Sequence, residues 1–347
     1  MSAKRYLFYI SQNYSYAILR PLQDIILARG DQAAWFLEGK EVNVSYLSAN
    51  ELQLNSISAV KKYKADVVFI PGNVVPDFIP GIKVGVFHGF NSGKLNRRGF
   101  EDHFNIRGCF DLYCTQGPNT TLPFVELAKQ HQHFSVKQTG WPALDPLFDL
   151  TKVSKSTKPT ILMCSTFSRA LTCAPELFET VKRLSENNKW QWLIQFHPKM
   201  PKEIIEQYKS LENDNLSFIE TDNVIPLLQQ ADVMVCDTSS VLMMFLMLNK
   251  PVVTFNNISP KDYMVNISDK DKLEDSIEFA LSYPAELKAK VEYFINDTHP
   301  YTDGESSKRV LAAADELLAG HNVANKRKPL NLLRRFKMRK KLNYWWL

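Results

Sequence analysis

A chain of 347 residues has room for two domains, and 45% hydrophobic with 23% charged residues is ordinary for a folded protein, which excludes bulk disorder. Only 13 glycines, and no apolar run near the ~18 residues a bilayer span needs, exclude collagen-like repeats and a membrane-crossing helix. The net charge of +5 belongs to one segment: nine of the 42 bases lie within 326–341 with no acid among them, so 33 bases face 37 acids elsewhere and a basic, nucleic-acid-binding body is not indicated.

From the start, Met1-Ser-Ala-Lys-Arg leads into a short apolar run and then Ser11-Gln12-Asn13, without the longer apolar core and cleavage site of an export signal. The five cysteines, none in a C-x-x-C pair, predict buried thiols in a reducing, cytosolic compartment. Apolar, β-rich runs predict strands over 6–11, 42–47, 66–71, 84–88, 111–115 and 136–140, then over 160–165, 191–197, 217–220, 233–237 and 251–255. Helical spacing predicts helices over 17–29, 49–63, 121–131, 175–187, 202–211 and 241–248. In the first of these Ile18, Leu22, Ile25 and Ile26 share a face and Gly30 supplies the stop. Strands that read as nearly continuous apolar runs suit a parallel sheet covered on both faces, so the fold class is α/β, doubly wound. The polar, lysine-rich stretch 149–159 reads as an inter-domain linker, giving domains over 1–150 and 151–320 and a basic tail over 321–347. Two Rossmann-like domains facing a cleft describe the glycosyltransferase-B (GT-B) architecture.

Ligands of parallel sheets bind beyond the carboxyl ends of the strands, so polar residues there are candidates for chemistry. His88 follows the run Val84-Gly-Val-Phe and precedes Gly89. An imidazole at that place is suited to removing a proton near neutral pH, and is also satisfied by a backbone carbonyl in an inert strand end. His197, before Pro198, ends a strand in the second half, where it could hold a phosphate oxygen. Asp237-Thr238-Ser239-Ser240 joins a buried strand to an apolar helix, and Ser239 or Ser240 is expected to cap it, presenting hydroxyls and N–H groups to an anion. Asp303-Gly304 forms a turn ahead of a helix ending near Gly320, with Ser306 as a cap. No G-x-G-x-x-G, Walker loop or H-E-x-x-H is present, and His131 with His133 reads as a solvated helix end.

Taken in order, these segments resemble the CDP-glycerol glycerophosphotransferase family, the teichoic-acid-type polyol-phosphate transferases. His88-Gly89-Phe90 is similar to its H-G-T box, and Gly140-Trp141-Pro142-Ala143-Leu144-Asp145 to its G-x-P-R-x-D box. The strand ending in Ser165-Thr166-Phe167-Ser168-Arg169 resembles its Y-A-P-T-W-R segment, and Phe196-His197-Pro198 its H-P box. Asp237-Thr-Ser-Ser-Val241 is similar to D-Y-S-S-V, and Asp303-Gly304 with Ser307 and Arg309 to D-G-x-x-S-x-R. Phe90 stands where the family has threonine and Ala143 where it has arginine, and Arg169 sits one place late.

The resemblance implies transfer of a polyol phosphate from a CDP-activated donor to a hydroxyl of a cell-envelope glycan or lipid-linked acceptor. The first domain would serve the acceptor and the second the nucleotide donor. His88 and His197 are the implied catalytic residues, Gly89 and Asn91 lie on the acceptor side, and Ser165, Thr166, Arg169, Asp237, Thr238, Ser239, Ser240, Asp303 and Gly304 would hold donor and phosphate. No cofactor or metal is required by this arrangement. In the tail, bases alternate with Leu332, Leu333, Phe336 and a terminal Tyr344-Trp345-Trp346, a composition suited to an anionic membrane surface and hence to the inner face of the cell membrane. A solvated tail or a helix packed on the first domain is the other reading. A nucleotide-sugar GT-B glycosyltransferase and a non-catalytic, membrane-associated envelope-assembly protein are the alternative functions.

Overall fold

The computed structural model describes residues 3–345 other than 91, 92, 94–98, 100, 152, 154 and 155. The chain divides into two compact units, one of Met1–Pro146 with Asp297–Leu347 and one of Leu147–Asn296. Residues 297–320 therefore belong with the first unit, where the sequence reading assigns them to the second.

The first unit begins β1 (Arg5–Ile10), α1 (Ser15–Ala28), β2 (Gln32–Leu37), α2 (Ile57–Tyr63) and β3 (Val67–Ile70). It continues through β4 (Ile82–Gly85), β5 (Leu112–Thr115), α3 (Pro118–His131) and β6 (Ser135–Gln138). All neighbouring strands run parallel, in the order β2-β1-β3-β4-β5-β6. β1 and β3 are buried along almost their whole length, which accounts for their unbroken apolar sequence.

Two expected elements differ here. The predicted strand 42–47 contains instead a single 3-10 turn, Val44–Tyr46, started by Asn43, whose side chain accepts the Ser45 N–H. The second strand is β2, because Gly30, at φ +77, turns the chain back to the sheet directly after α1. The predicted helix 49–63 survives only as α2. Trp35 donates its N–H to the Leu52 carbonyl and accepts the Leu54 N–H, which holds 52–54 extended on the sheet edge.

The second unit runs β7 (Thr160–Ser165), α4 (Ala174–Glu186), β8 (Gln191–Phe196), α5 (Lys202–Lys209) and β9 (Leu216–Phe218). Then come α6 (Ile225–Gln230), β10 (Val233–Cys236), α7 (Val241–Leu246), β11 (Val252–Phe255), β12 (Val265–Ile267), α8 (Leu273–Ser282) and α9 (Ala285–Thr298). Its sheet is also parallel, in the order β12-β11-β10-β7-β8-β9, the doubly wound Rossmann arrangement. α4 packs Ala174, Leu177, Val181 and Leu184 at helical spacing against Trp192, Ile194 and Tyr208.

The last two helices, α10 (Ser306–Leu318) and α11 (Leu332–Lys341), return to the first unit. α11 is docked on the body: Arg334 donates to the Arg107 carbonyl, Arg335 and Arg339 flank Asp77 at 3.5 and 3.6 Å, and Lys341 pairs with Glu38. Beyond it Tyr344 packs at a tilt against Phe78, 4.7 Å between ring centroids, while Leu342 and Tyr344 join the edge of the core. Leu332, Leu333 and Phe336 stay exposed on α11, and Trp346 lies outside the described residues. Among the described residues no helix is long and apolar enough to cross a membrane.

Candidate active site

In each sheet the strand order reverses at one place, and loops diverging there leave a natural site beyond the carboxyl ends. In the first unit that place lies between β1 and β3. β4 ends at Gly85, three residues before His88, and Phe87 between them takes a left-handed backbone at φ +58. A non-glycine residue seldom adopts that conformation, which needs support. Here the Phe87 ring stacks on His103 at 4.9 Å and meets Phe124 at 5.2 Å, while its carbonyl accepts Trp141 Nε1–H at 3.4 Å. The turn carries His88 to the β1–β3 switch point, where its Nδ1 lies 3.1 Å from the Pro71 carbonyl and its ring stacks on Tyr14 at 5.6 Å. A carbonyl only accepts, so Nδ1 carries the proton and Nε2 presents a lone pair.

Gly89 supplies its carbonyl to Gln116 Nε2 at 2.9 Å, and a Cβ added there would meet no atom of the described residues within 4 Å. Asn91 lies outside the described residues.

In the second unit the order reverses between β7 and β10, so 165–169 and 237–240 emerge side by side. Asp237 is fully buried. Its Oδ2 accepts Ser165 Oγ–H at 2.6 Å and the N–H groups of Thr166 and Cys173 at 3.0 and 3.1 Å. Through these bonds Asp237 and Ser165, expected among the residues that hold donor and phosphate, pin the 165–173 loop. Thr238 Oγ1 accepts the Ile258 N–H at 3.2 Å and Ser239 Oγ the Val241 N–H at 3.4 Å, and each hydroxyl retains its own proton for a ligand. Ser240 precedes α7 without making a side-chain cap, so Ser239 does the capping. Arg169 is exposed.

His197 follows β8 and is exposed. Its Nδ1 accepts the Lys199 backbone N–H at 3.0 Å, which leaves the proton of the neutral ring on Nε2. Partial burial, with the Lys199 charge nearby, lowers its pKa below the usual histidine value and favours that neutral form. Phe167 packs on the ring at 4.6 Å between centroids.

Asp303 and Gly304, expected beside the donor in the second domain, are carried by the first unit. Asp303 pairs with Arg309, whose hydrogen bonds hold the carboxyl below its ordinary pKa, and the guanidinium sits 3.9 Å from the Tyr301 ring centre. The neighbouring 140–145 box belongs to the same assembly. Asp145 accepts the N–H groups of Ser306 and Ser307 at 2.8 and 2.7 Å, closing the start of α10. Gly140, at φ +81, has no room for a side chain: a Cβ would lie 2.5 Å from Ser306 Oγ and 2.9 Å from His299 Nε2. His299 is buried, accepts the Trp141 N–H at 2.9 Å, and is pushed by burial down to a pKa of about 4.

Sequence reasoning missed Tyr14, the Pro71 carbonyl, the Lys199 amide and Phe167, the groups that orient the two imidazoles. Phe167 lies inside a quoted motif, without a role assigned to it there, and Lys199 directly after another, but Pro71 and Tyr14 come from remote loops.

Several solved structures share this fold. A Listeria monocytogenes protein assigned as a UDP-N-acetylglucosamine 2-epimerase is 13% identical, with a TM-score of 0.67 over 92% of this chain and 98% of its own. The wall teichoic acid polymerase TagF is 14% identical, with a TM-score of 0.65 over 92% and 90%. S. aureus MnaA, solved with UDP, is 16% identical, with a TM-score of 0.62 over 94% and 100%. At such identities the likeness is one of fold, and it makes the architecture GT-B type. No protein of curated function matches the sequence. Residues 133–314, just over half of the chain and reaching from His133 through the whole second unit into α10, match the model of the family described as CDP-glycerol:poly(glycerophosphate) glycerophosphotransferase. The chain belongs to the CDP-glycerol:poly(glycerophosphate) glycerophosphotransferase family.

Proposed function

We propose that this enzyme transfers a polyol phosphate, glycerol phosphate in the first instance, from its CDP-activated form to a hydroxyl of a cell-envelope glycan or lipid-linked acceptor. The carrying observation is the state of His88: the Pro71 carbonyl holds the proton on Nδ1 and leaves Nε2 as a base at the switch point of its sheet. Nε2 takes the acceptor proton as the acceptor oxygen bonds to the phosphorus bearing the polyol. The bond from that phosphorus to the bridging oxygen breaks, and CMP leaves with the electron pair. His197, with its proton on Nε2, donates to the diphosphate oxygens as negative charge grows on them, and the hydroxyls of Thr238, Ser239 and Ser240 with the Thr166 loop hold the same group. Positioned donors of this kind supply most of the catalysis in phosphoryl transfer. Arg169, exposed after the same loop, is the remaining cation for the donor. Asp303, paired with Arg309, and Gly304 are further candidates for holding the donor phosphate. Gly89 and Asn91 border the acceptor.

The exposed Leu332, Leu333 and Phe336 of α11, flanked by Lys337 and Lys340, support peripheral attachment to an anionic membrane, where each base near the surface contributes ~1 kcal/mol. Leu333→Glu with Phe336→Glu should abolish pelleting with phosphatidylglycerol vesicles, and unchanged pelleting rejects the attachment.

The direct test is a panel of nucleotide-activated donors with a membrane extract as acceptor. CMP released from CDP-glycerol or CDP-ribitol supports the proposal. UDP released from a sugar nucleotide replaces it with the glycosyltransferase reading, and binding without turnover of any donor replaces it with the envelope-assembly one.

A further inference from the structure

A cavity walled by both apolar and charged side chains lies in the first unit, at the amino-terminal edge of its sheet and so at the opposite end of the strands from His88. It measures about 110 Å³ and opens between the start of β4, the 108–109 turn before β5 and the inner face of α11. Four cations line it, Lys83, Lys328, Arg334 and Arg335, against the single carboxylate of Asp77. Lys83 is buried on β4, with Nζ donating to the Ile79 and Gly81 carbonyls at 2.5 and 2.6 Å, so one of its three protons remains. Lys328 donates to Asp111 at 2.7 Å and to the Cys109 carbonyl at 3.3 Å, likewise leaving one. Arg334 is anchored through Nη1 on the Arg107 carbonyl, and Arg335 approaches Asp77 through Nε, so each guanidinium keeps further N–H groups. Burial first, and then the charge of Lys328, push the Lys83 pKa down to about 8, against the opposing pull of Asp111 and Asp77.

We infer that this cavity binds a soluble phosphate group, as inorganic phosphate or a small phosphate monoester, and that the bound anion fastens α11 to the sheet. The size fits: the space is several times the ~10–15 Å³ that one water needs, yet well short of the ~300–1,000 Å³ of pockets for larger ligands. Phosphate is what converging lysine and arginine donors recognise best. A lipid headgroup carries the same chemistry, but the faces of α11 argue against it. Arg334, Arg335 and Met338 line the cavity, whereas Leu332, Leu333 and Phe336 lie on the opposite, exposed side of the helix. A lipid seated on the apolar side has its headgroup away from the cavity.

The test is equilibrium dialysis of labelled inorganic phosphate against the full chain, at ionic strength held constant with chloride. One phosphate should bind per chain with a dissociation constant below about 1 mM. Arg334→Gln with Arg335→Gln should weaken it about tenfold or more, the worth of a lost charge-assisted contact. Circular dichroism of that variant establishes that it is folded, and Lys328→Gln, on the other wall, should give a similar loss. Absence of saturable binding, or equal affinity in these variants, overturns the inference. Displacement of phosphate by phosphatidylglycerol vesicles but not by phosphatidylcholine vesicles overturns the soluble source. Phosphate binding should persist in His88→Ala, so the outcome is independent of whether the proposed transfer reaction is correct.

Discussion

After β4 a carbonyl faces the imidazole of His88, and after β8 a backbone N–H faces that of His197. In both cases Nδ1 is the nitrogen engaged. Because one partner accepts and the other donates, the outer nitrogen is a base in the first unit and a proton donor in the second. Two identical side chains, one after the fourth strand of its sheet and one after the second strand of the other, thus present opposite hydrogen-bonding capacities because of a single main-chain atom each. Which proton the neutral ring carries is decided by the loop each histidine leans on, not by its position at a strand end.

The sharpest way to break this contrast is substitution that preserves one capacity. His88→Ala should lower turnover by ~10²–10⁴, and His88→Gln should do no better, because an amide is no base at neutral pH. His197→Ala should cost at least ~10², whereas His197→Gln keeps an N–H donor and should recover part of that loss. Nucleotide release under saturating donor measures all four, and equal behaviour of the two glutamine variants would end the distinction.

A second test concerns the scaffold under His197. Asp237→Ala leaves Ser165 Oγ and the Thr166 and Cys173 amides without their buried acceptor, at ~1–3 kcal/mol for each unsatisfied group. The second unit should therefore melt several degrees lower, while donor affinity falls through the displaced loop. Calorimetry with a separately measured donor affinity checks both.

Acid should separate the units further. His103 and His299 of the first unit are both held by burial at a pKa of about 4. The unfolded chain, with histidine near 6.5, binds more protons between these values, so stability is complete above pH ~6.5 and declines as pH falls toward 4, on the order of 3 kcal/mol per histidine at most. Denaturant unfolding at pH 7 and pH 4.5 should show the first unit losing more than the second. The smallest effect expected is from Gly140→Ala, which strains a left-handed backbone and crowds Ser306, for ~1–2 kcal/mol confined to the first unit.

Much of this architecture was legible because buried parallel strands are apolar throughout: 160–165 was read to the residue, and β10 and β11 within one. The reading failed where local pattern competed with pairing. Val42 to Leu47 alternates like a strand, but β1 had already found its partner in β2. The candidate histidines were visible as polar residues ending apolar runs. Their tautomers were not, since His88 depends on a carbonyl seventeen residues away and on the left-handed turn at Phe87. Nor could spacing along the chain reveal that the 140–145 and 303–309 boxes meet through Asp145, a contact spanning some 160 residues.

The return of the chain to the first unit bears on how the protein is made. The partners of Trp141 N–H, of Asp145 and of Asn119, namely His299, the Ser306 and Ser307 amides and the Thr298 hydroxyl, are supplied only once residues 297–307 have left the ribosome, and α11 only after residue 341. The first unit has its six strands by Gln138 but not α10 and α11, whereas the second unit, continuous in sequence, has all its strands and helices before those two helices are made. Synthesis therefore lets the second unit complete its contacts while the first, its sheet already made, still awaits the two helices that cover it.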